Sequence, residues 1–403
     1  MINLKNPVIK GSIILILMTA LFNFLNFLYH ILMARTLSIE DFGLLKRVFV
    51  FLYFGAVLME SIQTIITKYS AENANDKSKL KYILLKSFRK IGKLSALVFL
   101  SFIILSIPIM YYFDIPYTLL LMTGAFLSGS MLVPITRGII QGQQRFYALG
   151  FSVISEGIFK VLFAYIFVWL GWRVYGAVAG VLLSVFLTLC VSFYYLREIR
   201  KSKKSSVDLS GIRNYSWPVL FLTGSLILFF NLDVLFSGYF FDDTLSGIYA
   251  IASTIALAIF VGTQPINRVL FPITANNSAQ KKPSINNFFK ALFLILLCSF
   301  IALLVIGFYP DFLVKLFSGK VIEQASSIVF ILGLSTSILS ITSLILYYKL
   351  SQGKTQGYKF IPVFLIIEII LLTLFHQDLL SFSLAFLSAN VIFLIGSLVL
   401  LNK

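Results

Sequence analysis

The chain has 403 residues, 59% of them hydrophobic and 12% charged, with a mean hydropathy of +0.94 and a formal net charge of +17. Soluble domains carry about 25% charged residues, so this composition excludes a soluble fold and makes a bilayer the solvent for most of the chain. Backbone polar groups in hydrocarbon must be paired internally, which leaves helices or a closed barrel. The apolar runs are roughly 20 residues long and do not alternate, so they select helices. In chain order they predict about twelve spans, at 11–34, 44–66, 94–113, 117–139, 147–170, 174–196, 215–238, 246–267, 288–309, 327–348, 359–376 and 380–401. The first, Gly11 to Ala34, is too long for a signal-peptide core, lacks a small-x-small cleavage site, and reads as a span. Cys190 and Cys298 sit inside apolar runs and read as small buried hydrophobes with no metal spacing.

The even span number places both termini on one side, and the basic residues choose the side. Of the 33 Lys and Arg, 26 fall on the side of the termini, 6 on the opposite side, and Lys160 alone within a span. The positive charge is therefore topological and attracts anionic headgroups; it is not a nucleic-acid footprint. This predicts a multi-pass protein of the cell membrane with both termini cytoplasmic. The outer loops are short, the longest running from about Pro310 to Ser326, with no room for an inserted domain.

The two halves resemble each other. Ala34 to Leu44 and Gly238 to Ile248 are both short acidic outer loops ending in Gly and an aliphatic residue, at an offset of 204. Gln141-Gly142-Gln143 and Gln352-Gly353-Lys354 match at an offset of 211. The expected organisation is an N-terminal six-helix lobe (1–196), a basic cytoplasmic linker (197–214) and a C-terminal six-helix lobe (215–403). Such repeats bring substrate sites to the protein interior.

Several stretches carry a family likeness. They are Ala34-Arg35-x-Leu37-Ser38-x-Glu40-x-Phe42-Gly43; Arg137-Gly138-Ile139-Ile140-Gln141-Gly142-Gln143-Gln144-Arg145-Phe146, followed by Ser155-Glu156; Asn231-Leu232-Asp233-Val234-Leu235, followed by Ser246-Gly247-Ile248-Tyr249; and Phe271-Pro272. With these the chain resembles the polysaccharide-biosynthesis branch of the multidrug/oligosaccharidyl-lipid/polysaccharide exporter superfamily. The resemblance implies an all-α membrane protein of two six-helix lobes, like the multidrug and toxin extrusion (MATE) transporters. It implies a flippase for a polyprenyl-diphosphate-linked oligosaccharide working by alternating access. Its partners would be that lipid-linked substrate, membrane lipids and other polysaccharide-assembly proteins. Peptidoglycan-precursor flippases of the superfamily typically have fourteen spans, from which this chain departs. The alternative within the superfamily is a multidrug or cation antiporter, which would need an essential membrane acid.

Polar residues in spans are penalised by hydrocarbon and so are the site candidates. Thr19, Asn23, Asn26 and His30 form one helical stripe in span one, either a wall that hydrogen-bonds head groups or interhelical glue. Span two carries Lys46, Tyr53, Glu60 and Thr67 at sevenfold spacing, with Gln63 beside Glu60 and Arg47 one residue off the stripe. Lys46 and Arg47 lie near the outer end with Arg35, where they either snorkel, pair with Glu40 and Asp41, or meet a diphosphate. Glu156 and Lys160, four apart on span five, read as an intrahelical ion pair, either structural or opening to bind phosphate. Asp233 and Glu368 could each bind a proton or cation. Ser253, Gln264, Asn267 and Arg268 lie on roughly one side of span eight. Pro108, Pro134, Pro218, Pro265 and Pro362 are expected to kink their helices. No phosphate-binding Gly-x-x-x-x-Gly-Lys-Ser/Thr motif occurs. His30 and His376, the two histidines, are far apart in sequence. Neither a cofactor, nor a metal site, nor an enzymatic activity is expected.

Overall fold

The computed structural model describes residues 7–206, 224–280, 282–353 and 360–399, and these are helical nearly throughout, with no strand among them. Eight stretches of the described residues are long and apolar enough to cross a membrane, and two shorter apolar helices, Gly224–Phe240 and Ile361–Leu374, accompany them. The longest stretch, Phe146–Tyr195 at 50 residues, would be about 75 Å long if straight. It is instead a hairpin of α6 (Phe146–Phe167) and α7 (Arg173–Tyr195), which pack along each other. A π turn, Val168–Trp172, reverses the chain with Gly171 at φ +89° and Arg173 at φ +47°. The first of these is a conformation that glycine alone adopts without a Cβ clash.

The described residues form two compact units. Unit 1 comprises Met1–Leu37 and Phe51–Ser216, and unit 2 comprises Ser38–Val50 and Trp217–Lys403. The helix α2 (Ile39–Glu72) thus begins in unit 2 and ends in unit 1, a division the repeat pattern does not foretell.

In unit 1, α1 (Pro7–Thr36) packs on α6, and α4 (Tyr117–Ser130) packs on α3 (Lys77–Phe113) and α7. The 37 residues of α3 give a length of about 55 Å against roughly 30 Å of hydrocarbon. Its first turns, Lys77 to Lys93, are the basic part and exceed what the bilayer core needs. Asp76 caps α3, its carboxylate accepting from the Ser78 and Lys79 N–H groups at 2.9 and 3.2 Å. The predicted span 117–139 is two helices, α4 and α5 (Val133–Gly142), because Pro134 sits in the first turn of α5, where its missing N–H is harmless. Beyond α7, α8 (Arg197–Lys201) buries Ile199 among Ile66, Leu80, Ile135 and Leu149, so the start of the expected linker is part of unit 1's core.

In unit 2, α9 (Leu232–Phe240) leads into α10 (Asp243–Ala279), which packs against α13 (Glu323–Ser351). Three side-chain hydrogen bonds run up that interface: Thr263 to Ser340 at 3.0 Å, Asn267 to Ser343 at 3.1 Å and Thr274 to Ser351 at 2.6 Å. Hydrophobic association is weak between helices in lipid, and each such bond contributes about 0.6 kcal/mol. The helices α11 (Ile285–Phe308), α14 (Ile361–Leu374) and α15 (Leu379–Val399) complete the unit, with α12 (Pro310–Ser318), a short helix, inside the outer loop expected from Pro310 to Ser326.

Two expectations are corrected. Cys190 and Cys298 are exposed, not buried, because in a bilayer the outward face of a helix is the apolar one. Pro362, like Pro134, begins a helix instead of kinking one, whereas Pro108 and Pro265 do lie within α3 and α10. Pro218 lies outside the described residues.

Candidate functional site

Unit 1 gathers its polar side chains from α1, α2, α5 and α6. Asn26 and His30 lie on the α1 face that meets α6 and α2. The Lys160 ammonium, on α6, donates to Asn26 Oδ1 at 2.8 Å and sits 4.4 Å from the centre of the Tyr29 ring. Lys160 is 9% exposed. Tyr29 in turn donates its hydroxyl to the Ala177 carbonyl at 3.3 Å, which fixes the ring as a cation-binding face. His30 Nε2 lies 3.3 Å from the Tyr53 hydroxyl. Asn23 is half-buried on the same helix, Thr19 two turns from Asn26, and Arg35 exposed at the helix end.

Glu156 and Lys160 do not form the ion pair expected from their spacing. Glu156 is taken by Arg137 of α5 at 2.7 Å. The same guanidinium donates to the Ser152 hydroxyl at 3.1 Å and to the Ser152 carbonyl at 2.8 Å, one turn earlier on α6. An arginine offers five donors in a planar fork, so it satisfies the carboxylate and the helix surface together, which Lys160 cannot do from its own helix. Lys160 turns toward α1 instead. Arg137 is the residue that sequence reasoning missed: it counted only as a loop cation, although it stands in the same family stretch as Glu156. Deeper on α2, Gln63 and Thr67 both donate to Gln141 Oε1, at 2.8 and 3.2 Å, while Glu60 is exposed.

Unit 2 carries the acids. Asp233, in the first turn of α9, is fully buried and accepts from the Tyr249 hydroxyl at 2.9 Å and the Ser253 hydroxyl at 3.4 Å. Glu368 of α14 is also fully buried, and neither carboxyl oxygen has a hydrogen-bond partner among the described residues. Lys46, on the opening turns of α2, is buried. Arg47 beside it is buried too and pairs with Asp243 at 2.6 Å. Glu40 accepts from the Thr244 hydroxyl at 3.0 Å. Hydrogen bonds from its own backbone N–H, the Ser38 hydroxyl and the Thr244 hydroxyl hold the Glu40 carboxyl below the usual carboxylate range. On α10, Asn267 turns to Ser343, the Gln264 amide nitrogen has no partner among the described residues, and the Arg268 side chain lies outside the described residues. No cluster of metal-ligating side chains occurs among the described residues.

This is the architecture of a multi-helix membrane transporter: a nearly all-helical chain with charged side chains, among them Lys160, Asp233 and Glu368, buried in its apolar helices. The model of the family described as polysaccharide biosynthesis protein matches residues 8–278, and the chain belongs to that family. It is 24% identical over 379 residues to an uncharacterized membrane protein of Methanocaldococcus jannaschii, covering 86% of this chain and 84% of that one. Among solved structures it is similar in fold to a multidrug-resistance MATE transporter of the MOP superfamily in its inward-facing conformation, with TM-score 0.75, 13% identity, and 94% of each chain covered. It is also similar to the lipid II flippase MurJ in an inward closed conformation, with TM-score 0.69, 14% identity, and 97% of this chain and 88% of that one covered.

Proposed function

We propose that this protein is a flippase that carries a polyprenyl-diphosphate-linked oligosaccharide across the cell membrane by alternating access. The observation that carries the reading is the Lys160 ammonium, nearly buried within a membrane helix and flanked by Asn26 and the Tyr29 ring. A buried ammonium at this depth is costly unless it is paired. Asn26 and the Tyr29 ring hold the ammonium on the side of α6 that faces α1, where in this reading it meets an anionic head group. Asn23, Asn26 and His30 would hydrogen-bond the same head group, while the lipid tail stays in the bilayer. Arg35 supplies a further cation at the outer end of α1. Both termini lie on the cytoplasmic side in this reading, supported by the basic asymmetry of the loops.

The buried acids Asp233 and Glu368 favour ion coupling, with a proton or cation entering unit 2 as the substrate moves. They are also what a cation antiporter of the same superfamily would need. The deciding experiment reconstitutes purified protein into liposomes and follows protein-dependent access of a lipid-linked oligosaccharide head group to an external enzyme. Movement of the lipid supports the flippase. Failure of every candidate lipid, together with organic-cation efflux along a proton or sodium gradient, would assign the antiporter instead.

A further inference from the structure

Arg137 and Glu156 lie within stretches long and apolar enough to cross a membrane, Tyr117–Gly142 and Phe146–Tyr195. Ionisable side chains are rare in such segments and mark substrate routes. The guanidinium and the Lys160 ammonium share one stripe of α6. Ser152, Glu156 and Lys160 recur every fourth residue of that helix, so they stand one above another, about 6 Å apart along its axis. Arg137 holds the first two positions, through the Ser152 hydroxyl at 3.1 Å, the Ser152 carbonyl at 2.8 Å and Glu156 Oε2 at 2.7 Å. Lys160 is the third, its ammonium 2.8 Å from Asn26 Oδ1. Two cations, one from α5 and one from α6 itself, are thus fixed on adjacent turns of the same stripe.

The ion pair is an open one. It joins a single nitrogen, Nη2, to a single carboxylate oxygen, Oε2, where arginine and a carboxylate can make two parallel bonds. Nε is taken up by the Ser152 hydroxyl, and Nη1 makes no hydrogen bond to a described residue. The two side chains are 12% and 21% exposed. The exposed side of a charged pair within a membrane helix meets water, not lipid. A guanidinium fork with one edge unoccupied and open to water is matched to phosphate oxygens. What bars an anion from it is the negative charge of Glu156.

We propose that Arg137 is a second ligand of the transported diphosphate, and that Glu156 holds its guanidinium until the diphosphate displaces the carboxylate. Lys160 meets one phosphate and Arg137 the other. The pair with Glu156 keeps this part of the membrane interior neutral when no substrate is bound, and the exchange brings a second cation to the substrate without ever leaving a bare arginine there. The released carboxylate meets the water that its exposed side admits. The proposal rests on the flippase reading above, but it is tested with a soluble probe, so the two can fail separately.

The probe is inorganic pyrophosphate, titrated by calorimetry into the purified full chain in nanodiscs at neutral pH. Glu156→Gln should tighten pyrophosphate binding by about tenfold, because a neutral amide competes less for the guanidinium. Arg137→Lys keeps a cation for Glu156 but loses the fork, and should weaken binding by about tenfold. Combining the two changes should abolish the tightening. If Arg137→Lys is lost from the membrane, the sign of the Glu156→Gln effect decides alone, since a pair that only holds α5 to α6 predicts unchanged or weaker binding there. Unchanged or weaker binding in Glu156→Gln, unchanged binding in Arg137→Lys, or no pyrophosphate binding by any variant would each overturn the proposal. Binding that responds to Lys160→Met and to neither of the other changes would remove Arg137 from the site and leave the flippase reading standing. The expected affinity changes together with no lipid movement in liposomes would keep the anion site and refute the reading it rests on.

Discussion

Replacing Arg137 with alanine removes three interactions at once: the 2.7 Å ion pair with Glu156 and two hydrogen bonds to Ser152. The side chains of the pair are 12% and 21% exposed. Breaking one side of a fully buried pair costs about 3–5 kcal/mol, and the residual exposure of this one screens part of that. We expect Arg137→Ala to destabilise by about 2–3 kcal/mol. Glu156→Gln should cost less, since the amide oxygen still accepts from the guanidinium. The double variant should then show a coupling of about 1–2 kcal/mol. In the same measurements Lys160→Met combined with Glu156→Gln should be additive within about 0.5 kcal/mol, because Glu156 is paired with Arg137 while Lys160 is held by Asn26 and Tyr29. Unfolding midpoints in detergent and abundance of monodisperse protein by fluorescence-detected size exclusion would read all five variants. Strong coupling of Glu156 to Lys160, with none to Arg137, would refute the assignment of the pair and restore the ion pair expected from their spacing.

Gly247→Val should destabilise by about 1–3 kcal/mol, since even a Cβ at this position would press on the Ile39 carbonyl; an unchanged midpoint would mean that α2 does not pack here. Glu40 has a depressed carboxyl pKa, so its contribution is full above the usual carboxylate range and fades as pH falls through the lowered folded value. The stability difference between wild type and Glu40→Gln should therefore shrink on acidification, and a difference that grows would contradict it. Lys160→Met should leave the folded protein in the membrane and reduce head-group translocation in liposomes at least tenfold, whereas full transport would remove Lys160 from the substrate site. Asp76→Ala should cost about 1 kcal/mol through the lost cap of α3, visible as a small fall in midpoint.

The sequence by itself determined the solvent, the helical class and the family, because these depend on composition, on run length and on short motifs that need no partner. It also placed the acids: Asp233 and Glu368 stand out as polar residues in hydrocarbon wherever the helices lie. Pairing was a different matter. Spacing puts Glu156 and Lys160 on one face of one helix, but an ion pair is decided by which neighbouring helix offers the better donor, and Arg137 comes from α5. Arg47 likewise pairs with Asp243, 196 residues away. The likeness of the two stretches that hold Gly43 and Gly247, at an offset of 204, was legible. That the two glycines touch was not, since similarity between halves carries no information about contact. The opening turns of α2, read as part of the first lobe, pack within unit 2 because only there do Gly43, Arg47 and Glu40 find Gly247, Asp243 and Thr244. Local pattern fixes what each helix is, while long-range packing fixes which of its charges are neutralised, and by whom.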